Sequence, residues 1–197
     1  MIKIDLVTGF LGSGKTTFIK HYANYLKQQN KKVCILENDF GAINVDMMLL
    51  SEIRGDNVEL EMISGGGDLT THIRRFRTKL IQMAITGYDN VIVEPSGIFD
   101  IDEFLDLIYE DPLPSYYEIG SIIAIVDENT KLEGEEDKYI FANEIATSGV
   151  VVISKIKEHK NLISFLNESI LNALSLEIVI SKTSIVFMLF NYLKLKS

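Results

Sequence analysis

The chain has 197 residues, 47% of them hydrophobic, a mean hydropathy of +0.16, a formal net charge of −9 and a pI of about 4.9. That length supports one ordinary core, so the expectation is a single domain over residues 1–197. A general binder of phosphate backbones needs a basic face, and the scattered tyrosines and phenylalanines form no base-stacking run, so nucleic acid is not an expected partner.

Residues 2–8 form a short apolar run, which predicts a buried strand. The run has no small-residue cleavage site after an apolar core, so no secretory signal is expected. It leads directly into Gly9-Phe10-Leu11-Gly12-Ser13-Gly14-Lys15-Thr16, and a helix is predicted over 15–28. A second apolar run at 33–36 holds Cys34, the one cysteine. No disulfide can form within the chain, a reducing cytoplasm fits, and the thiol is expected to be buried and inert. The run ends in Glu37-Asn38-Asp39-Phe40-Gly41.

Residues 58–63 alternate and predict a third strand, followed by Gly65-Gly66-Gly67. A helix is expected over 68–86 with Ile73, Phe76, Leu80 and Met83 on its apolar face. Arg74, Arg75 and Arg77 then form its solvated side, with a finger onto phosphate as the alternative for one of them. Residues 91–93 predict a buried strand that ends in Glu94-Pro95-Ser96-Gly97, and 101–109 a short amphipathic helix. Strands are expected at 121–126 and 150–153, with the acidic stretch 133–137 between them as a solvated loop. Residues 161–174 look helical and 177–180 strand-like, and an apolar tail covers 185–193. That tail is shorter than the ~20 residues a spanning helix needs, so no membrane partner is expected. His21, His72 and His159 lack ligand spacing and are expected at the surface.

Strands alternating with helices imply a mainly parallel α/β sheet flanked by helices on both faces. Polar residues follow the strands at 8, 37, 94, 127 and 154, and ligands in such sheets bind beyond the strands' carboxyl ends. The pattern G-x-x-x-x-G-K-T is complete at 9–16 and sits between a predicted strand and helix, the context of a phosphate loop. In such a loop Gly9, Gly12, Ser13 and Gly14 turn backbone N–H groups onto a triphosphate. Lys15 supplies a positive charge to the β- and γ-phosphates, and Thr16 offers its hydroxyl to Mg²⁺. Asp39 and Glu94 are the candidate carboxylates for Mg²⁺, direct or through water, and Asp39 could instead position the attacking water. Gly97 fits a switch turn whose backbone N–H meets a γ-phosphate. The alternatives are an Asx turn at 38–41 and a Pro-Ser-Gly turn at 95–97.

Four segments together resemble one family: residues 8–17, 37–41, 94–97 and 154–155. The chain is similar to the metallocentre-assembly GTPases, which include CobW-like proteins and the nickel-insertion GTPases for urease and hydrogenase. Residues 8–17 match that family's T-G-F-L-G-S-G-K-T-T letter for letter, which adds Thr17 to the binding residues. Glu94 stands where the family's switch has Glu, and the Glu37 to Gly41 segment is similar to E-N-E-F-G. Ser154 and Lys155 take the place of the first residues of the guanine-reading motif. The resemblance covers about residues 1–157 and implies a P-loop NTPase fold and a Mg²⁺-dependent GTPase, slow without a partner. It also implies a protein partner or target metalloenzyme, and a homodimer around nucleotide.

The chain departs from the pattern in three places. Lys157 replaces the guanine-reading Asp, which leaves ATP open beside GTP. Residues 64–67 carry no C-x-C-C thiols, so no soft-metal site follows. Only about 40 residues follow Lys157, so no separate C-terminal domain is expected, or the chain is truncated. Two other readings therefore stand beside the GTPase: an ATP-using phosphotransferase-like enzyme and a non-catalytic nucleotide-binding regulator.

Overall fold

A computed structural model describes residues 1–39, 50–55, 57–64, 69–95, 101–127, 129, 130, 134, 140, 141, 144, 145, 147–155, 176–180 and 186–190. At 38, 39, 64, 69 and the last two segments it describes the backbone alone. The chain divides into two compact units, Met1–Val7 with Lys15–Gly120, and Thr8–Gly14 with Ser121–Ser197.

The first unit is built on β1 (Ile2–Thr8), β2 (Val33–Asp39), β3 (Val58–Ser64) and β4 (Asn90–Pro95). Their order is β3-β2-β4-β1 and every pairing among them is parallel. β2 and β4 read as near-continuous apolar runs, as strands buried on both faces do, whereas β3 alternates and is only partly covered. Val33, Ile35, Val91 and Val93 are fully buried. Helix α1 (Lys15–Gln28) packs on β2 and β4 through a face that buries Phe18, Ile19, Ala23 and Leu26. Helix α2 (Leu69–Thr86) buries Phe76, Leu80 and Met83, and Phe76 meets Phe104 of α3 (Ile101–Tyr109) with ring centroids 6.4 Å apart. Burying such side chains contributes roughly 1.5–3 kcal/mol each.

The second unit holds most of β5 (Tyr117–Asp127), together with β6 (Val150–Ser154), β7 (Leu176–Ile180) and β8 (Val186–Phe190). β5 and β6 pair in parallel, and β8 lies antiparallel between β6 and β7. The expected mainly parallel α/β fold is therefore observed, and the apolar tail adds the antiparallel part.

Strand bounds moved outward from the sequence expectation. β2 runs to Asp39 and β4 to Pro95, so Glu37 and Glu94 lie within strands rather than after them. Ladder hydrogen bonds continue past the last apolar residue, which periodicity cannot see. His72 was expected at the surface, but it is buried in the first turns of α2. The apolar stripe of α2 is wide enough to take it in. Ile73 is only partly covered. His21 is exposed as expected, and His159 lies outside the described residues.

One buried carboxylate organises the middle of the first unit. Asp5 on β1 is 2% exposed, and its Oδ2 accepts from the Tyr22 hydroxyl of α1 at 3.1 Å and from Asn90 Nδ2 of β4 at 3.3 Å. Burial, with Asp5 next, pushes the Tyr22 hydroxyl up, so it stays a donor. A buried carboxylate is tolerated only with such partners. Gly120 makes the space, because a Cβ there would lie 2.2 Å from Asp5 Oδ1. Gly120→Ala is expected to push the carboxylate off its donors and destabilise the fold by roughly 1–3 kcal/mol. A urea melt with the midpoint unmoved would contradict this.

Candidate functional site

The phosphate-loop residues 9–14 lie wholly in the second unit. Gly9, Gly12 and Gly14 have φ of +139°, +76° and +101°, a region L side chains rarely adopt. Gly9 is doubly constrained, since a Cβ would sit 2.2 Å from the Ile125 carbonyl oxygen on β5. The loop therefore turns against the strand at a distance that admits no side chain. Its flanks are held by neighbours: the Thr8 hydroxyl donates to Glu144 Oε1 at 3.0 Å, and Phe10 stacks on Phe141 with centroids 6.1 Å apart. Leu11 at the tip is fully exposed.

The ends of β5 and β6 tie down the loop's carbonyls. Parallel pairing sets Asp127 opposite Ser154. The Ser154 hydroxyl donates to the carbonyls of Ser13 and, at 3.3 Å, of Val126. Lys155 turns into the left-handed region at φ +56°, which costs a non-glycine residue about 1–2 kcal/mol. That turn returns its ammonium to Gly12 O at 2.6 Å and to Asp127 Oδ2 at 2.7 Å. Asp127 Oδ1 also accepts from the backbone and side-chain nitrogens of Asn129 at 2.8 and 2.9 Å. Partial burial pushes the Asp127 carboxyl up, but Lys155 and Asn129 outweigh it and hold the group below its ordinary range. Among the described residues the buried Ser13 Oγ has no hydrogen-bond partner, a polar atom suited to an anionic ligand in the loop.

In the first unit the chain continues from the loop into α1 at Lys15. The first turn of α1 has no acidic side chain, so its partial positive charge is not offset there. Lys15 Nζ lies 3.8 Å from Glu94 Oε1, both side chains being largely buried. Parallel register places Glu37 directly beside Glu94, and both carboxylates are buried. Thr16 is half-buried in the same helical turn as Lys15. Hydroxyl and carboxylate oxygens are the donors a hard cation such as Mg²⁺ prefers, so this set fits the metal of a triphosphate complex.

The structure thus brings Gly12, Ser13, Ser154 and Lys155 together in one unit, and Lys15 and Glu94 in the other. Thr17 is exposed on α1. Asp39 ends β2 in register with Ser64, while its side chain, Gly97, the 65–68 segment and Lys157 lie outside the described residues. Arg74 and Arg75 are exposed, as expected for a solvated side. Arg77 instead donates to Glu110 Oε1 at 3.0 Å and to the Asp111 carbonyl, so it fastens α2 to the end of α3. Sequence reasoning assigned no role to Glu144, Phe141 or Asn129, and marked Asp127 only as a polar strand end. The signal for Asp127 was its position directly after an apolar run, as for Ser154.

The CobW/HypB/UreG nucleotide-binding domain family matches residues 3–174. The zinc chaperone YeiR of Escherichia coli is 29% identical over 157 residues, which cover 79% of this chain and 47% of that protein. The zinc-regulated GTPase metalloprotein activator 1 of Saccharomyces cerevisiae is 29% identical over 132 residues, covering 64% of this chain and 30% of its own. Among solved structures, the Zn(II)-bound YjiA GTPase from E. coli superposes with a TM-score of 0.54 at 20% identity, over 84% of this chain and 54% of that one. A signal recognition particle receptor FtsY from Elizabethkingia anophelis in complex with GDP reaches a TM-score of 0.59 at 20% identity, over 79% and 49%. These two share the fold of this chain. The chain spans about half or less of the length of the curated relatives it matches.

Three of those names carry zinc, but the only thiol in this chain is Cys34, and it is fully buried on β2. Among the described residues no group of three His, Cys, Asp or Glu is arranged to hold a metal. Burial, with the nearby Glu61 adding to it, pushes the Cys34 thiol up to about 12. The thiolate is the reactive form, so at pH 8 it is nearly absent. A thiol-reactive dye is expected to label Cys34 only after denaturation, and stoichiometric labelling of the native chain would contradict this burial.

Proposed function

For a chain that belongs to the CobW/HypB/UreG nucleotide-binding domain family, we propose a GTP-hydrolysing switch of the metallocentre-assembly type, working on a partner protein. The observation that carries the reading is the Lys15–Glu94 pair, with Glu37 in register beside Glu94, at the start of the helix that follows the phosphate loop. A lysine and two buried carboxylates at parallel strand ends are the charges a Mg²⁺–triphosphate needs around it.

In this reading the N–H groups of residues 9–14 and the first turn of α1 bind the α- and β-phosphates. Lys15 holds the β- and γ-oxygens and stabilises charge on the transferring phosphoryl group. Thr16 would hold Mg²⁺, with Asp39 and Glu94 as further ligands, direct or through water. Mg²⁺, when bound, neutralises charge on the β- and γ-oxygens. Glu94 also keeps Lys15 aimed, since a lysine stem has many rotamers and a carboxylate selects one. Ser154 and Lys155 brace the loop from the nucleoside side, Thr17 extends the first turn, and Gly97 meets the γ-phosphate from the switch turn. The whole described chain would act as one nucleotide-binding domain in the cytoplasm, and dimerisation around nucleotide would complete the switch.

A metal cargo is not part of the proposal, because Cys34 cannot build a thiolate cluster. Lys157 removes the carboxylate that selects guanine, so base preference is the point to measure first. Fluorescent GTP and ATP analogues titrated with and without Mg²⁺ are expected to bind with GTP preferred and Mg²⁺ required. Phosphate transfer from ATP to an acceptor other than water would overturn the GTPase reading in favour of a phosphotransferase. Nucleotide-dependent partner binding without hydrolysis would favour a regulator. Lys15→Ala is expected to lower hydrolysis by at least about a thousandfold, ~4 kcal/mol of transition-state stabilisation, while the fold survives. Single-turnover GTP hydrolysis checks it, and residual turnover near wild type would refute the assignment.

A further inference from the structure

The pair of Lys155 with Asp127 goes beyond the family's motif, and it rests on the reading of residues 9–16 as a nucleotide loop. Lys155 could in principle reach Gly12 from many rotamers, because a four-carbon stem is flexible. Here its ammonium is fixed from two sides, by the Gly12 carbonyl at 2.6 Å and by Asp127 Oδ2 at 2.7 Å. Asp127 is itself fixed, since its other oxygen takes two donors from Asn129 and its backbone lies in register with Ser154. Its side chain is 17% exposed and that of Lys155 51%, so the carboxylate is the anchored partner and the ammonium the one being placed.

We propose that Asp127 is a positioning residue for nucleotide binding: it orients Lys155 onto the Gly12 carbonyl and so holds the loop in its glycine-dependent shape before a ligand arrives. Three facts carry this. The loop's glycines sit in conformations a free chain populates only in part. Its carbonyls at 12 and 13 are each capped by a side chain from the end of β6. The Lys155 backbone adopts a left-handed turn, which surrounding contacts must hold in place. A loop with its carbonyls held outward keeps its N–H groups inward, the arrangement an anion needs. Preorganisation of this kind raises affinity by removing an ordering cost at binding. The carboxylate at 127 thus supports binding in a chain whose guanine motif has Lys157 instead of a carboxylate.

The test is a double-mutant cycle on nucleotide affinity in the full chain. Asp127→Asn keeps the shape and the Asn129 turn but removes the charge that orients Lys155. It is expected to weaken binding of fluorescent GTP and GDP alike by about tenfold, since a 1.4 kcal/mol loss is tenfold. The turnover number should hold, because the proposal gives Asp127 a part in shaping the loop and none in the phosphoryl transfer, so KM rises while kcat does not. In a Lys155→Ala background the same substitution should add nothing. Amide exchange of residues 9–14 should speed up in Asp127→Asn without a fall in the melting midpoint, a result a merely structural role would not produce. Asp127→Glu should restore part of the affinity.

Equal losses in both backgrounds, or unchanged affinity in Asp127→Asn, would overturn the proposal. If Asp127→Asn fails to fold, Asn129→Ala substitutes, with a loss of about threefold expected and none in the Lys155→Ala background. No binding of any triphosphate by the wild-type chain would instead sink the nucleotide reading itself.

Discussion

A methyl group at position 9 would sit 2.2 Å from the carbonyl oxygen of Ile125. That single lack of space sets how the chain leaves β1. It must turn at once, with φ at +139°, and glycine alone does so without strain. The turn opens the loop through Gly12 and Gly14, both also at positive φ, and the chain then enters α1 at Lys15. The lysine, the threonine and the uncompensated helix end follow from where that turn begins.

Parallel pairing then does for the carboxylates what the turn does for the loop. Strands in parallel register bring their carboxyl ends to one level, so Glu37 meets Glu94 and Asp127 meets Ser154 without any local signal in either stretch. Both pairs place acid or hydroxyl oxygens where apolar strands stop. Glu94 is buried and the Asp127 side chain is largely covered, so these groups need partners. Glu94 has Lys15, and Asp127 has Lys155 and Asn129. The Lys15–Glu94 pair, with both side chains largely buried, carries more weight than an exposed ion pair such as Lys20–Glu52, which water screens.

Much of this was legible in the chain itself. Helix α1 and the short α3 stand at the bounds the periodicity predicts, because amphipathic spacing and punctuation are local properties. The candidate residues Gly9, Gly12, Ser13, Gly14 and Lys15 were legible for the same reason, as their meaning lies in their spacing. Other features were not. Glu37 looks like a loop residue because apolar periodicity ends at Leu36, while the ladder to β3 and β4 runs on to Asp39. His72 looks like a surface residue because an isolated histidine has no periodic signal, yet the α2 face encloses it. Arg77 belongs to the same basic cluster as Arg74 and Arg75, and only the approach of the 110–111 turn distinguishes it.

The loop at residues 9–16 shows where the boundary lies. The sequence by itself determined that residues 9–16 form a glycine turn between a strand and a helix, since strand, turn and helix each depend on neighbours a few positions away. Which groups hold that turn was decided by tertiary structure. Lys155 reaches Gly12 across 143 positions, Ser154 reaches Ser13 across 141, and Glu144 reaches Thr8 across 136. No periodicity spans such separations, and a hydrogen bond forms only where packing has already brought donor and acceptor to about 3 Å.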